Sequence, residues 1–453
     1  MIFMTALGQP MLFLNTQKTA SDLLEKRSSI YIDRPRFIVV GEIITRGMSI
    51  AMSQSTDLWR RMRRAAVESF SKNAVKNYHA IQTREAVFFT SNVVSRPADI
   101  EKHIRRTTAS IILSVAYDRP SVEGDDDRTV LRVNEHSEKV AATAAIGAHW
   151  VEFLPWMKHI PSRFAKWKRD AEYYYEDINS VYQELFSKVQ NDLANGIDRP
   201  SMSANLLKNQ DHFKLSGTER VWTAGVMFGA ASETTAATLS WWFFAMVAYP
   251  QTQVRAQEEL DKVVGRGRLP SFSDRPHLPY THAIVKEVLR WRPPVRLGIP
   301  HVSIADDWYE GMFIPKGTMC ISNIWQCNHQ ADIYGPDVDE FRPARFLDEH
   351  GELVEEGPTR DVREGGHVSY GYGRRLCVGQ YLANDSVFIN IATMLWAARF
   401  EHEKEGNGQE VSLDADSFIG NGIVSRPVSI PYRITPRFPE AVAMLAEARE
   451  LQR

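Results

Sequence analysis

The chain has 453 residues, of which 43% are hydrophobic and 24% charged, and its formal net charge is -2. These proportions are typical of a soluble globular protein, and a charge so near zero argues against nucleic acid as a partner. Only three cysteines are present, too few and too widely spaced for a disulfide framework or a four-ligand zinc site: Cys320, Cys327 and Cys377. We therefore expect a cytosol-facing protein.

The chain also offers no pattern typical of membrane insertion or secretion. No segment reaches the roughly 18 uninterrupted apolar residues of a membrane span. The opening MIFMTALG lacks the basic flank of a signal peptide. We expect no anchor within this sequence.

The first half of the chain predicts a hairpin and then mainly helices. Residues 1–15, MIFMTALGQPMLFLN, alternate as two short strands with a turn at residues 8–10. The segment TASDLLEKRSSIY has apolar residues at helical spacing, and helical patterns fill residues 58–205. A long helix is predicted over residues 217–249.

The second half adds strands to two further helices, TQVRAQEELDKVV and THAIVKEVLRWR. Residues 297–323 alternate like paired strands with Gly turns, residues 357–370 form a polar, Gly-rich meander, and VSIPYRITPR predicts a final strand pair. The sequence thus predicts a mainly α protein with a smaller β region. Length alone suggests roughly three domains.

The segment YGYGRRLCVG, residues 370–379, places one cysteine between glycines and arginines just before a long apolar helix. At a helix N-terminus beside Arg374 and Arg375, Cys377 would have a lowered pKa and would bind metal as a thiolate. Gly371 permits backbone conformations closed to other residues, and Gly379 leaves room for a flat, bulky group such as haem. The alternative for Cys377 is a buried free thiol.

The same segment resembles the cysteine-ligand loop F-x-x-G-x-R-x-C-x-G of the cytochrome P-450 haem-thiolate monooxygenases. Tyr370 replaces the usual Phe and adds a hydroxyl that needs a partner. The resemblance extends over nearly the whole chain. It implies a single catalytic domain, residues 1–453, with a triangular helix-rich body and haem b between the long central helix and the helix after Cys377.

Two further sites in the sequence, a W-x-x-x-R motif and a single histidine, resemble the family's contacts with haem propionates. Trp59 and Arg63 lie four residues apart, on one helix face, and match W-x-x-x-R; arginine can bind a carboxylate in a bidentate manner. His301, in LGIPH, stands where relatives place another propionate contact, the alternative being a solvent-facing histidine. The neighbouring arginines are either a basic surface or a docking patch for an acidic reductase: Arg60, Arg61 and Arg64.

The helix predicted over residues 217–249 contains GAASETTAAT, in which a carboxylate and two hydroxyls interrupt an apolar run. Burying a carboxylate and two hydroxyls in an apolar helix is energetically costly, which favours a functional role for these groups. The segment resembles the family's A/G-G-x-D/E-T-T element, which implies that Glu233 and Thr234 relay protons during oxygen activation. Plain helix packing, with Thr bonded to a carbonyl four residues earlier, is the alternative.

A third group of residues is predicted to be structural. Glu287 and Arg290 lie three apart on one helix face, where opposite charges can meet. FRPARF, residues 341–346, resembles the family's F-x-P-E-R-F element. By this resemblance Arg345 joins the pair in a buried ion network that holds the meander and the Cys377 loop.

The resemblance implies a monooxygenase of the fungal microsomal type, a monomer that inserts one atom of O2 into a C–H bond of a lipophilic small molecule. No flavin or nicotinamide fingerprint is present, so a separate NADPH-dependent flavoprotein reductase is implied, at the cytosolic face of the endoplasmic reticulum. A haem-thiolate isomerase or dehydratase, or an inactive haem-binding homologue, are alternatives.

Substrate recognition is expected on five apolar-rich stretches: residues 41–55, 149–167, 226–234, 295–299 and 418–424. One of them includes FLPWMKHIPSRFAKWKR, in which aromatic and basic residues alternate, a composition suited to peripheral contact with a membrane surface. Ordinary helix packing with a solvated face is the alternative for this segment.

Overall fold

The computed structural model describes residues 1–124, 126–145, 147–354, 366–403, 413–420 and 422–452. Helices dominate these residues, as expected from the sequence. The α-helices, in chain order, are α1 Gln17–Ala20, α2 Asp57–Ser69, α3 His79–Ser95, α4 Ile100–Tyr117, α5 Arg128–Ala144, α6 Lys166–Ala194, α7 Met202–Lys208, α8 Gln210–Phe213, α9 Gly217–Ala248, α10 Pro250–Val263, α11 Pro279–Trp291, α12 Ile324–Asn328, α13 Ala331–Tyr334, α14 Gln380–Ala397 and α15 Glu440–Leu451.

The strands are short and form small sheets beside the helices. In chain order they are β1 Ile2–Ala6, β2 Gln9–Leu14, β3 His301–Val302, β4 Asp307–Tyr309, β5 Met312–Ile314, β6 Met319–Ser322, β7 Ala398–His402, β8 Phe418–Gly420, β9 Ser425–Pro427 and β10 Tyr432–Pro436. The largest sheet has the order β1-β2-β6-β3. Its β1–β2 pair is antiparallel, and β2 runs parallel to β6.

The predicted N-terminal hairpin is present, although its turn comes one residue earlier than expected. The turn consists of Leu7 and Gly8, both with positive φ. Pro10 belongs to β2, where it lies opposite Thr5. A proline is tolerated there because it is near the start of the strand.

The centre of the molecule is α9, a helix of 32 residues that starts at a capping box formed by Ser216 and Glu219. Its second half is apolar on all sides, and Trp241 and Trp242 are fully buried. A helix apolar all round is stable only when other elements surround it. Accordingly α9 packs against α4, α5, α6 and α14, among others.

The C-terminal part differs from the sequence prediction. VSIPYRITPR does not form a strand pair with itself, because β10 pairs antiparallel with β7, which directly follows α14, and β9 pairs with β8. Helix α15 was not predicted. Of the predicted meander, residues 357–365 lie outside the described residues.

Two segments in the N-terminal part of the chain are π-helical. One of them, Ser21–Lys26, continues directly from α1, and the other covers Ile38–Ile44 and packs against α5 and α6. In the described parts of the chain, no helix is both long and apolar enough to cross a membrane.

Candidate active site

A cavity of about 390 Å³ lies between α9, α2 and the loop that precedes α14. Nine of the residues singled out from the sequence line it: Arg63, Glu233, Thr234, His301, Tyr370, Gly371, Arg375, Cys377 and Gly379. Trp59 lies just behind this wall, while Glu287, Arg290 and Arg345 stand apart from it. The cavity therefore brings together residues that are more than 300 positions apart in the chain.

The loop of Cys377 is held in place by its own backbone and by the N-terminal part of the chain. The Cys377 N–H donates to Tyr370 O at 3.0 Å. Gly373 has a φ of +54°, and a Cβ there would lie only 2.2 Å from Leu24 O. The Gly373 N–H also donates to Glu25 Oε2 at 2.8 Å. Only glycine can occupy position 373 without moving this contact.

Other positions of the loop leave space on the cavity side. A Cβ on Gly371 would meet nothing within 4 Å, and one on Gly379 would meet only Cys377 Sγ, at 4.0 Å. The Tyr370 hydroxyl has the partner it requires, since it donates to Asn384 Oδ1 at 2.7 Å. The open space beside Cys377 suits a flat group.

Cys377 is exposed to the cavity, unlike Cys320 and Cys327, which are buried in the core. The expectation that Arg374 and Arg375 lower its pKa is not met, because burial raises the pKa of the Cys377 thiol. A hydrogen bond from the Gly379 backbone and the positive charge of Arg63 oppose this rise. Arg374 is instead exposed. A cation at the site, such as iron, would favour the thiolate further.

A group of cationic side chains faces the same cavity. The Arg375 guanidinium lies over the Trp59 ring, 3.8 Å from its centroid, and its Nε donates to Ile32 O at 2.7 Å. The Trp59 indole N–H donates to Ile50 O at 3.0 Å. Trp59 thus positions Arg375, and its own donor is used within the protein.

Arg63 and His301, the propionate contacts predicted from the sequence, also line the cavity. Arg63 Nη2 donates to Leu376 O at 2.6 Å, which connects α2 to the residue before Cys377. His301 is 5% exposed, so it is not a solvent-facing histidine. Its Nδ1 donates to Tyr31 O at 2.8 Å, so Nε2 of the neutral ring is an acceptor that faces the cavity. Burial and the charge of Arg34 hold the pKa of His301 well below its usual value, and a nearby anion such as a carboxylate would favour the protonated ring, in which Nε2 donates.

A third arginine in the cavity wall, Arg34, was missed by the sequence analysis. Its side chain is 4% exposed, and it donates from Nε to Ala51 O at 3.0 Å and from Nη1 to Ile299 O at 2.7 Å. Burial and the charges of Arg375 and Arg63 hold the pKa of Arg34 well below its usual value. No local motif marks it, because the groups that fix it are far away in the chain.

The three arginines, Arg34, Arg63 and Arg375, carry more positive charge than the nearby protein groups neutralise. Burial lowers the pKa of Arg375 to about 9. Its Nη2 is buried without a hydrogen-bond partner in the described part of the chain, and Asp33 Oδ1 is 3.9 Å away. Unpaired buried charge is strongly unfavourable, so a dianionic ligand fits here. With a thiol facing the same cavity, the residues fit a haem with its two propionates.

Glu233 and Thr234 lie on the cavity side of α9. The Thr234 hydroxyl donates to Ala230 O at 2.9 Å, which is the back-bonded arrangement expected for plain helix packing. Burial raises the pKa of Glu233, while Arg105, with its Nη2 3.6 Å from Glu233 Oε1, opposes the rise. Both groups can therefore hold a proton at the cavity wall.

The three residues predicted to form an ion network are in contact and buried. Arg290 Nε lies 2.6 Å from Glu287 Oε2, and Arg345 Nε lies 3.0 Å from Glu287 Oε1. Arg290 Nη1 also donates to Asn328 O at 3.0 Å. The Asn328 side chain in turn accepts from the Val368 N–H at 3.0 Å, which connects the network to the start of the Cys377 loop.

Four of the five stretches expected to recognise substrate contribute to the cavity wall: residues 41–55, 226–234, 295–299 and, within its described part, 418–424. The prediction for residues 149–167 is wrong, since none of them lines the cavity. Val151 packs instead against the π-helical stretch at 38–44, and Trp150, Trp156 and Phe164 are exposed. The wall includes α4, α5 and α6, which the sequence analysis missed.

Cys377 faces a cavity beside cationic side chains that suit two carboxylates. Glu233 and Thr234 supply an acid and an alcohol on the central helix α9. Together these features define a haem-thiolate protein. The family model of cytochrome P-450 matches residues 1–430, and the chain belongs to this family. It is a haem-thiolate monooxygenase with a mainly α fold.

Curated relatives agree with this assignment, and a solved structure shares the fold. A cytochrome P-450 monooxygenase of Armillaria gallica is 48% identical over 451 residues, which is 100% of this chain and 86% of that protein. Cytochrome P-450 monooxygenase 58 of Postia placenta is 42% identical, over 97% of this chain and 83% of its own length. A zebra fish cytochrome P-450 with abiraterone is similar in fold, with a TM-score of 0.74, 24% identity and 96% coverage of both chains. The isomerase and the inactive homologue are not favoured.

Proposed function

We propose that Cys377 binds the iron of haem b in this cavity and that Arg34, Arg63, Arg375 and His301 bind its propionates. The proposal rests on one observation: the Cys377 side chain is exposed to a cavity whose wall also holds these three arginines and His301. When bound, a haem with a thiolate ligand supplies the activation of O2. The protein's own residues bind and orient the reactants and exclude water.

Proton delivery falls to Glu233 and Thr234. The carboxyl of Glu233 is largely buried and in contact with Arg105, whose other partners, Glu101 and Glu138, reach the surface. This chain of charged groups connects the cavity wall with solvent. The Thr234 hydroxyl can leave Ala230 O and pass a proton into the cavity, since a hydroxyl rotates freely about its own bond.

The substrate is a lipophilic small molecule, of secondary metabolism or a xenobiotic, that receives one oxygen atom at a C–H bond. The largely apolar wall supports this substrate class. The electrons come from NADPH through a separate flavoprotein reductase. Arg60, Arg64 and Arg374 are exposed and suited to an acidic partner, whereas Arg61 is engaged with Asp57 and Glu219.

The protein works as a monomer at the cytosolic face of the endoplasmic reticulum, which it contacts peripherally. Three aromatic side chains next to basic residues support this proposal: Trp150 is 71% exposed, Trp156 64% and Phe164 71%. The Arg163 guanidinium lies 4.7 Å from the centroid of the Phe164 ring. Aromatic and basic groups together suit an interface between water and lipid.

The absorption spectrum of the reduced, carbonyl-bound protein tests the iron ligand. We expect a strongly red-shifted Soret band for the wild type. Cys377→Ser should retain little haem and no monooxygenase activity, because a neutral alcohol replaces an anionic sulfur ligand. Cys320→Ser, in the core, is the control and should keep the band. A Cys377→Ser protein that retains both haem and substrate oxidation would contradict the proposal.

A further inference from the structure

One part of the cavity wall carries polar side chains that neither bind the haem nor deliver protons. They come from α5 and α6: His136, Ser137 and Tyr182. The same face of α5 continues with Val140 and Ala141, which also line the cavity. The mainly apolar wall therefore includes polar side chains on α5 and α6.

His136 is 8% exposed and forms no hydrogen bond within the residues that the structure describes. Burial lowers the pKa of His136 to about 4, with Lys139 adding to the fall and Asp177 opposing it. The ring is therefore neutral near pH 7, with one nitrogen as donor and the other as acceptor. A buried imidazole in contact with a cavity needs a partner from the cavity itself.

Two hydroxyls lie beside the backbone of α9 in the same region. A Cβ on Gly229 would come 3.0 Å from Ser137 Oγ and 3.9 Å from Tyr182 Oη. A Cβ on Gly225 would collide with the Tyr182 ring at 2.3 Å, so this glycine lets the ring pack against the helix. Neither hydroxyl has a hydrogen-bond partner in the described part of the chain, and both residues line the cavity.

We propose that His136, Ser137 and Tyr182 bind one neutral oxygen-containing group, a hydroxyl or a carbonyl, of an otherwise apolar substrate. This inference rests on the proposed function, whose substrate class it narrows. The bound group is neutral because the nearby charges already have partners. Arg132 Nη2 is 2.5 Å from Asp177 Oδ1, and Lys139 pairs with Glu135.

The position of this region separates the bound oxygen from the reacting carbon. Gly229 precedes Thr234 by five residues, which is about 7.5 Å along the helix axis. The enzyme therefore selects a substrate that already carries one oxygen function and oxidises it at a different carbon. A reaction that forms an alcohol or a ketone on an apolar skeleton must supply such a substrate.

Isothermal titration calorimetry of the haem-loaded protein with decalin, 2-decalol and 2-decalone tests the proposal. We expect the wild type to bind the alcohol and the ketone roughly three- to tenfold more tightly than the hydrocarbon, as one additional hydrogen bond allows. His136→Phe and Ser137→Ala should reduce this preference, and His136→Gln, which keeps a donor and an acceptor, should restore part of it. Val140→Ala is the matched control and should weaken all three probes equally.

The outcomes separate this inference from the proposed function. A normal carbonyl-bound spectrum combined with equal affinity for the three probes, or with no binding of the alcohol and the ketone, would overturn the inference alone. If His136→Phe and Ser137→Ala both keep the wild type's preference for the alcohol and the ketone over the hydrocarbon, the inference is overturned as well. Loss of the red-shifted Soret band in the wild type would count against the proposed function, and the calorimetric preference would still be measurable.

Discussion

The Thr234 hydroxyl donates to Ala230 O, and in the proposed mechanism it also transfers a proton into the cavity. Thr234→Ala removes the hydroxyl and leaves the Cys377 loop unchanged. We expect haem content and the carbonyl-bound spectrum to persist, while hydrogen peroxide rises and product per NADPH falls.

Peroxide and product are measured with reductase present and any substrate that the enzyme converts. Thr234→Ser, which retains the hydroxyl, is the control and should stay close to the wild type. If Thr234→Ala couples NADPH consumption to product as well as the wild type does, Thr234 is only a packing residue.

Arg34 is expected to contribute to haem retention although no motif marks it. Arg34→Gln removes a buried positive charge beside Arg375, and a hydrogen bond to a charged group contributes about 1.5 to 3 kcal/mol. We therefore expect haem to transfer to apomyoglobin roughly ten- to a hundredfold faster, followed by absorbance.

Arg34→Lys keeps the charge and should recover part of this loss. Arg36→Gln is the matched control, because Arg36 is half exposed and pairs with Glu42 at the surface. Equal transfer rates for Arg34→Gln and Arg36→Gln would exclude Arg34 from haem retention.

The contrast between Cys377 and Arg34 shows what the sequence reveals about the site. Cys377, Trp59 and Arg63 stand within short motifs whose spacing is visible in the sequence. Arg34 is defined by carbonyl groups of Ala51 and Ile299, the latter 265 positions away. Such a residue becomes recognisable only once the fold brings these segments together. The same limit explains why His136 was not found.

At the level of elements, the ion network connects α11 to the segment around Arg345. Glu287→Gln leaves the buried charge of Arg290 without the carboxylate it contacts, and it leaves Arg345 with only Asp337, at 3.4 Å, in the described part of the chain. We expect the free energy of unfolding to fall by about 3 to 5 kcal/mol. Urea denaturation, followed by circular dichroism, measures it.

Glu349→Gln is the control, since the Glu349 side chain is 88% exposed. It should change stability by less than about 0.5 kcal/mol. If the free energy of unfolding falls by a similar amount in both variants, the ion network makes no special contribution to stability.

Elements were predicted well where the pattern is local and less well where pairing is distant. The long apolar run of α9 and the hairpin β1–β2 follow from periodicity alone. Strand β10 pairs with β7, whose paired residues lie 30 to 38 positions earlier in the chain. VSIPYRITPR contains no information about that partner, which explains the incorrect prediction of a local strand pair.

For the whole molecule, contact with a membrane should depend on the exposed aromatic side chains between α5 and α6. Trp156→Ser combined with Phe164→Ser should weaken binding to anionic phospholipid vesicles at least about tenfold, because burying a large apolar side chain contributes roughly 2 kcal/mol. High salt should release the wild type in part, since it screens the basic residues and leaves the apolar contribution.

Vesicle sedimentation at low and high salt measures this binding. Trp308→Ser is the control, because Trp308 is an equally exposed tryptophan, at 63%, that belongs to β4 and not to the segment between α5 and α6. Haem content should be unchanged in all variants. Binding that survives the double substitution and yields only to detergent would show that another part of the protein contacts the lipid.

The contact between Gly373 and Glu25 has a consequence for biosynthesis. These residues are 348 positions apart, and Gly373 also lies against Leu24. A ribosome synthesises the chain from the N-terminus, at about 5 to 20 residues per second. The N-terminal segment is therefore synthesised tens of seconds before its partner, and the contact that holds the Cys377 loop can form only late in synthesis.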